Sequence, residues 1–233
     1  MKKQILLFSL LLASVFVHAQ IGINASYLNK YSNSWTRDFT IITTNDTRSL
    51  GLPGTGWELG LDYRLKMKNI RIEFYPSLGF SRQKQDFQLN GLSLSTQTRG
   101  LHLGLNGRIY PLDLEGDCDC PTWRKEGPTL EKGLFVQLST GFSFYGFEMT
   151  FPDDNILVDN DAQIFFGGGL GFDIGINDRL TITPQAMIHY YPQLNWDALE
   201  SELLWKEREP EVDATSDLLQ YQFGIHLGFH LGN

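Results

Sequence analysis

A two-residue alternation of side-chain character constrains this chain more tightly than any other feature. Across residues 57–67 every odd position is apolar (Trp57, Leu59, Leu61, Tyr63, Leu65, Met67) and every even one is charged or glycine (Glu58, Gly60, Asp62, Arg64, Lys66). Successive side chains on a β-strand point to opposite faces, so this segment is a strand with one greasy face and one charged face. Seven more segments repeat the pattern: 21–27, 70–81, 101–110, 134–144, 164–176, 180–190 and 219–231. A strand of about 12 residues tilted by ~45° covers roughly 28 Å of membrane normal, close to the hydrocarbon thickness.

The flanks and connections say where such strands belong. Met1-Lys2-Lys3, an apolar run from position 5 to position 17, and Val17-His18-Ala19 have the layout of a signal peptide cleaved after Ala19. The run is too short for the ~20 residues of a spanning helix. Cleavage of 19 from 233 residues leaves 214, enough for one domain over 20–233, and the loss of Lys2 and Lys3 takes the formal charge from −8 to −10. An acidic chain without a basic cluster lacks the cations that neutralise phosphates, which sets nucleic-acid binding aside. Lys68-Asn69 and Asn177-Asp178 read as minimal turns, whereas 28–56, 82–100, 145–163 and 192–218 read as long loops. Short periplasmic turns and long outer loops are the pattern of a membrane barrel, and the long connection 112–132 is the exception. The fold class expected is therefore all-β: an eight-stranded antiparallel up-and-down transmembrane β-barrel.

The polar faces carry Glu58, Asp62, Arg64, Lys66, Arg71, Glu73, Arg108 and Asp173 among small Gly and Ser residues. Buried charges require partners, so these eight are expected to form a polar network across a narrow lumen. Pro76 and Pro184 lie inside strands, and each removes a ladder hydrogen bond, so a bulge or distortion is expected at both. Trp57, Phe80, Phe144, Tyr190 and Phe229 stand near strand ends on the apolar face, where interfacial girdles sit. Eight strands enclose room for side chains only, which argues against an aqueous diffusion pore.

The chain thus resembles the small eight-stranded outer-membrane barrels of the OmpA and OmpX type and, more loosely, the PorT-like barrels. The local support is the segment 222–229, in which Gln222, Gly224, Leu227 and Phe229 look like the assembly signal read by the barrel-insertion machinery. Asn233, not an aromatic, ends the chain. The resemblance implies an outer-membrane location and a structural or binding role in the cell envelope, in contact with outer-membrane lipid and an envelope or surface protein. Through the PorT-like comparison it also implies a part in protein secretion or envelope biogenesis.

Motifs for chemistry are sparse. Cys118 and Cys120 are the only cysteines; in an oxidising compartment a local, strained disulfide is the default, with a redox or docking role as the alternative. Two thiols make half a metal site, and His226 and His230 sit ~13 Å apart along an extended strand, so neither a metal nor a cofactor is expected. Glu148, Asp153, Asp154, Asp159 and Asp161 read as a solvated acidic loop without the spacing of a calcium loop. Asn195 is a candidate N-cap for a short amphipathic helix over 195–207, which packs on the rim or presents Trp196 and Trp205 to a partner. No catalytic residue is assigned and no enzyme is expected. The competing readings are a membrane-embedded lipid-modifying enzyme, which needs a Ser, His and acidic cluster at the rim, and a soluble lipocalin-like carrier with its apolar face turned inward.

Overall fold

The computed structural model describes residues 20–32, 34–35, 53–67, 70–89, 92–114, 133–151, 156–197 and 215–230. The strands are β1 (Gln20–Ser32), β2 (Pro53–Lys66), β3 (Ile72–Leu89), β4 (Leu92–Ile109), β5 (Leu134–Thr150), β6 (Ile156–Phe172), β7 (Ile174–Asn177), β8 (Leu180–Asn195) and β9 (Thr215–His230). All neighbours are antiparallel and in sequence order, β1 pairs with β9, and β6 pairs with β8, so the sheet closes on itself. β7 continues β6 after a break at Asp173, so the nine strands make eight walls. The signal segment 1–19, Cys118, Cys120 and Trp205 lie outside the described residues.

Alternation decides inside from outside. Leu59, Leu61, Leu78, Phe80, Leu101, Leu103, Leu138, Phe142, Phe166, Phe223 and Ile225 are each more than two-fifths exposed, while Ser26, Glu73, Arg108, Gln137, Gln222 and His226 are buried. This is the inverse of a soluble fold and fits a barrel whose solvent is lipid. From Ile70 to Phe80 the outward apolar face runs roughly 24 Å along the normal at ~45° tilt, a membrane's apolar band. A lipocalin arrangement, with the apolar face inward, is excluded by this exposure pattern.

Both prolines act where expected. The β2–β3 ladder lapses between Asp62↔Ser77 and Leu65↔Phe74, which brackets Pro76. Pro184 falls between Gly171↔Gln185 and Ile174↔Ile182, the gap at which β6 gives way to β7. The turn expected at Asn177-Asp178 is displaced by one residue: Asn177 ends β7 opposite Leu180, and its side chain accepts the Arg179 N–H at 2.9 Å.

The outer loops are shorter than the sequence suggested. Residues 82–89 and 92–100 pair out to Leu89↔Leu92, and 145–150 pair with 156–161 out to Thr150↔Ile156. The reason is a change of sign in the alternation. On β5 Tyr145, Phe147 and Met149 point inward while Gly146 and Glu148 point outward, because beyond the bilayer the exterior meets water and the interior must be packed. Glu148, Asp159 and Asp161 are accordingly strand residues rather than members of a solvated loop. Asn195 closes β8 opposite Thr215; of the expected helix over 195–207, residues 198–207 lie outside the described residues.

Candidate functional site

The lumen holds two layers of different chemistry. At the periplasmic end, Glu73 accepts from Arg64 Nε at 2.7 Å, from Tyr75 at 2.6 Å and from Tyr110 at 3.2 Å. The single Tyr110 proton is shared with Asp173, 2.6 Å from the same hydroxyl, and Thr183 donates to that carboxylate at 2.6 Å. Arg108 approaches Asp173 at 3.9 Å, donates to Gln137 at 2.8 Å and to Gln185 at 3.1 Å, and lies 4.2 Å over the Tyr75 ring. Arg71 pairs with Asp113 and stacks 3.9 Å over Tyr110. Asp62 meets His226 at 3.0 Å.

Seven of the eight residues expected in the lumen line this network or the layer above it. Lys66 is the departure: it is exposed at the periplasmic end of β2, beside the turn, where the inner face opens to water.

Above the ions the lumen becomes aromatic. Trp35, Phe147 and Trp196 are fully buried, with Phe147 and Trp196 stacked at 4.9 Å and Trp35 edge-on to both. Tyr145, Tyr191 and Phe165 continue the cluster inward. Trp196, for which the sequence left open packing on the rim or contact with a partner, is part of the plug. Its place follows from the β8 bulge between Tyr191 and Leu194, which moves the inward register from odd to even positions, so that Leu194 and Trp196 are buried.

Between the layers, beside the expected Glu58, stand groups outside the set of eight lumen charges. Lys30 is fully buried, donates to the Tyr145 hydroxyl at 3.0 Å and lies 4.3 Å from that ring. His102 sits between Ser81 at 2.8 Å and Ser143 at 2.7 Å, with Glu58 at 3.8 Å. The available signal was parity, since Lys30, Ser81 and Ser143 all continue the inward register of their strands. A cavity of about 60 Å³ lies here, lined by Asn24, Glu58, Ser77, Asn106, Gln185 and Gln222 among others. That volume holds a few waters and no larger ligand. Among the described residues no cluster of three metal-ligating side chains forms.

In the last strand Gln222 and Gly224 face the lumen while Leu227 and Phe229 face out, with Phe229 opposite Ile21 of β1 at the closing seam.

The closed antiparallel sheet, apolar outside and ionic within, defines a transmembrane β-barrel of the outer-membrane type. Solved structures similar to this chain include Neisserial surface protein A (8% identity, 91% of this chain and 96% of that chain covered, TM-score 0.46). Others are Ail, the attachment invasion locus protein of Yersinia pestis, in complex with the heparin analogue sucrose octasulfate (11%, 91% and 98%, 0.46), and a major outer membrane protein from Thermus thermophilus (13%, 91% and 99%, 0.46). No family model matches the sequence, and no curated protein matches it.

Proposed function

We propose that the chain is a non-conducting barrel of the outer membrane, and that its work is done by the sheet that β3–β6 raise above the bilayer as a rigid scaffold for a surface or envelope partner. The observation that carries this reading is the double closure of the lumen, ionic below and aromatic above, combined with strand pairing that continues past the apolar belt. A molecule built to pass solutes has no use for a packed interior, and one built only to sit in lipid has no use for strands that outrun it. The PorT-like resemblance extends the proposal to secretion or envelope biogenesis, with the raised sheet as the docking surface. Gln222, Gly224, Leu227 and Phe229 serve, on this reading, as the signal for the insertion machinery.

The test has two parts. Reconstituted into planar bilayers, the folded protein gives no unitary conductance, and discrete conductance steps would contradict the closed lumen. Photo-crosslinkers placed at Lys84 and Gln97 in intact cells trap a discrete protein adduct, whereas crosslinkers at the lipid-facing Leu78 and Leu103 do not; absence of any adduct above the belt would sink the scaffold reading.

Among the described residues the Ser81–His102–Ser143 bracket with Glu58 is the nearest approach to a hydrolytic cluster. His102 is 6% exposed, and both serines are buried inside the wall. A lipid ester in the bilayer meets the other face of the sheet, so the cluster lacks the rim position that a lipid-modifying enzyme requires.

A further inference from the structure

The outward face of β3 and β4 changes character over one step. Phe80 and Leu101, opposite each other, are the last apolar pair, each more than two-fifths exposed. Two residues further out, Arg82 stands directly opposite Arg99, and both are exposed. Like charges facing each other across a ladder destabilise it, so the pairing calls for an anion. Among the described residues the protein supplies little: Arg82 Nε donates to the neutral Gln97 at 2.9 Å, and Arg99 reaches Glu148 at 3.4 Å, an ion pair in which the arginine is 57% exposed. Lys84, the next cation along β3, is already engaged by Asp86 at 3.0 Å.

Beside Arg99 a groove of about 470 Å³ opens on the exterior of the wall. Its apolar end is Phe80, Leu101, Phe144 and Ala162, and its polar end is Arg99 with Asn160 and Asp161. The floor exists because small residues face outward there: Gly146 pairs with Arg99, and Ala162 with Phe144. Asp161 is occupied by the Asn195 N–H at 2.8 Å.

We propose that Arg82 and Arg99 grip the phosphate of a phosphorylated lipid in the outer leaflet, with its acyl chain in the groove between Phe80, Leu101 and Phe144. Guanidinium forks match phosphate oxygens in geometry and charge. The position selects a lipid over a free anion, because the arginines stand one step above the last lipid-facing residues and the groove is continuous with the apolar belt. The site is independent of the scaffold reading, since it lies at the bilayer boundary and needs no protein partner.

Native mass spectrometry of the full, folded barrel in detergent tests this, with phosphatidic acid and phosphatidylcholine of identical chains as probes and folding checked by gel shift. Wild type is expected to retain phosphatidic acid about tenfold better than phosphatidylcholine. Arg82→Gln/Arg99→Gln abolishes the preference, and Glu148→Gln strengthens it. Gly146→Leu fills the groove with the arginines intact, since a Cβ there meets only the Asn160 side-chain tip at 3.3 Å, and lowers retention severalfold. Equal retention of the two lipids by wild type, an undiminished preference in the double variant, or full displacement of phosphatidic acid by millimolar inorganic phosphate would each overturn the proposal.

Discussion

Glu73 shows how a lone buried charge is made tolerable inside a membrane protein. Its carboxylate is 2% exposed and takes donors from Arg64, Tyr75 and Tyr110, so the ion never stands unpaired. Glu73→Ala leaves the Arg64 guanidinium stranded, and urea unfolding in micelles is expected to show a loss of about 3–5 kcal/mol. Arg64→Leu/Glu73→Leu, which removes both charges, is expected to recover most of that loss; a double variant as unstable as the single would contradict the pairing. Gly171 illustrates the opposite need, for nothing. A Cβ at that position overlaps the ring of the buried Phe135, which stacks against Tyr110 and Arg108. Gly171→Ala is therefore expected to cost about 1–3 kcal/mol in the same assay, where Gly146→Ala on the outer wall changes little. At this scale the sequence was informative about polarity and blind to partnership. Alternation put Glu73, Arg108 and Asp173 on the inner face, but which donors each carboxylate takes depends on strand registers that no local pattern encodes.

The strands themselves were legible wherever lipid and lumen lie on opposite faces, and illegible where that contrast ends. On β5 the polarity inverts between Phe144 and Tyr145, and on β3 and β4 both faces are polar over 82–86 and 95–99, so continuous strands read as loops. The same inversion concealed the plug, because Tyr145 and Phe147 were apolar residues on what had been the polar face, and Trp196 turns inward only past the β8 bulge. Hydrogen exchange checks the extension directly: amides of Gln83–Gln85 and Thr96–Thr98 are expected to be protected nearly as well as those within the bilayer, and free exchange would return 82–100 to a loop. This hairpin carries a pH response as well. The Ser95 hydroxyl and then the Lys84 ammonium hold the Asp86 carboxyl below the usual carboxylate range. A depressed folded value favours the hairpin above the unfolded pKa of ~3.9, and the benefit fades as pH falls through the lower folded value. Protection at the hairpin end is thus expected to drop below about pH 4, with no such drop in Asp86→Asn.

Over the whole molecule, closure comes from the β1–β9 seam, in register from Gln20↔His230 to Ser32↔Leu218, and from β6–β8, which pair only from Phe166 to Gly171. Above that short ladder the two strands are tied through side chains, Gln163 donating to the Gln193 carbonyl at 2.8 Å and the Asn195 N–H donating to Asp161 at 2.8 Å. Eight segments and their order could be counted in the sequence, but the split of β6 at Asp173 and this narrow seam could not, since the split falls where Pro184 interrupts a neighbouring strand and the seam's upper limit falls at the bulge between Tyr191 and Leu194. The sheet is closed and embedded in lipid. Electrophoresis of the urea-washed, detergent-extracted membrane fraction in SDS, unboiled against boiled, tests that most directly. A faster-migrating unboiled form that converts on heating is the expected result; release of the protein by urea with one mobility in both samples would contradict the barrel.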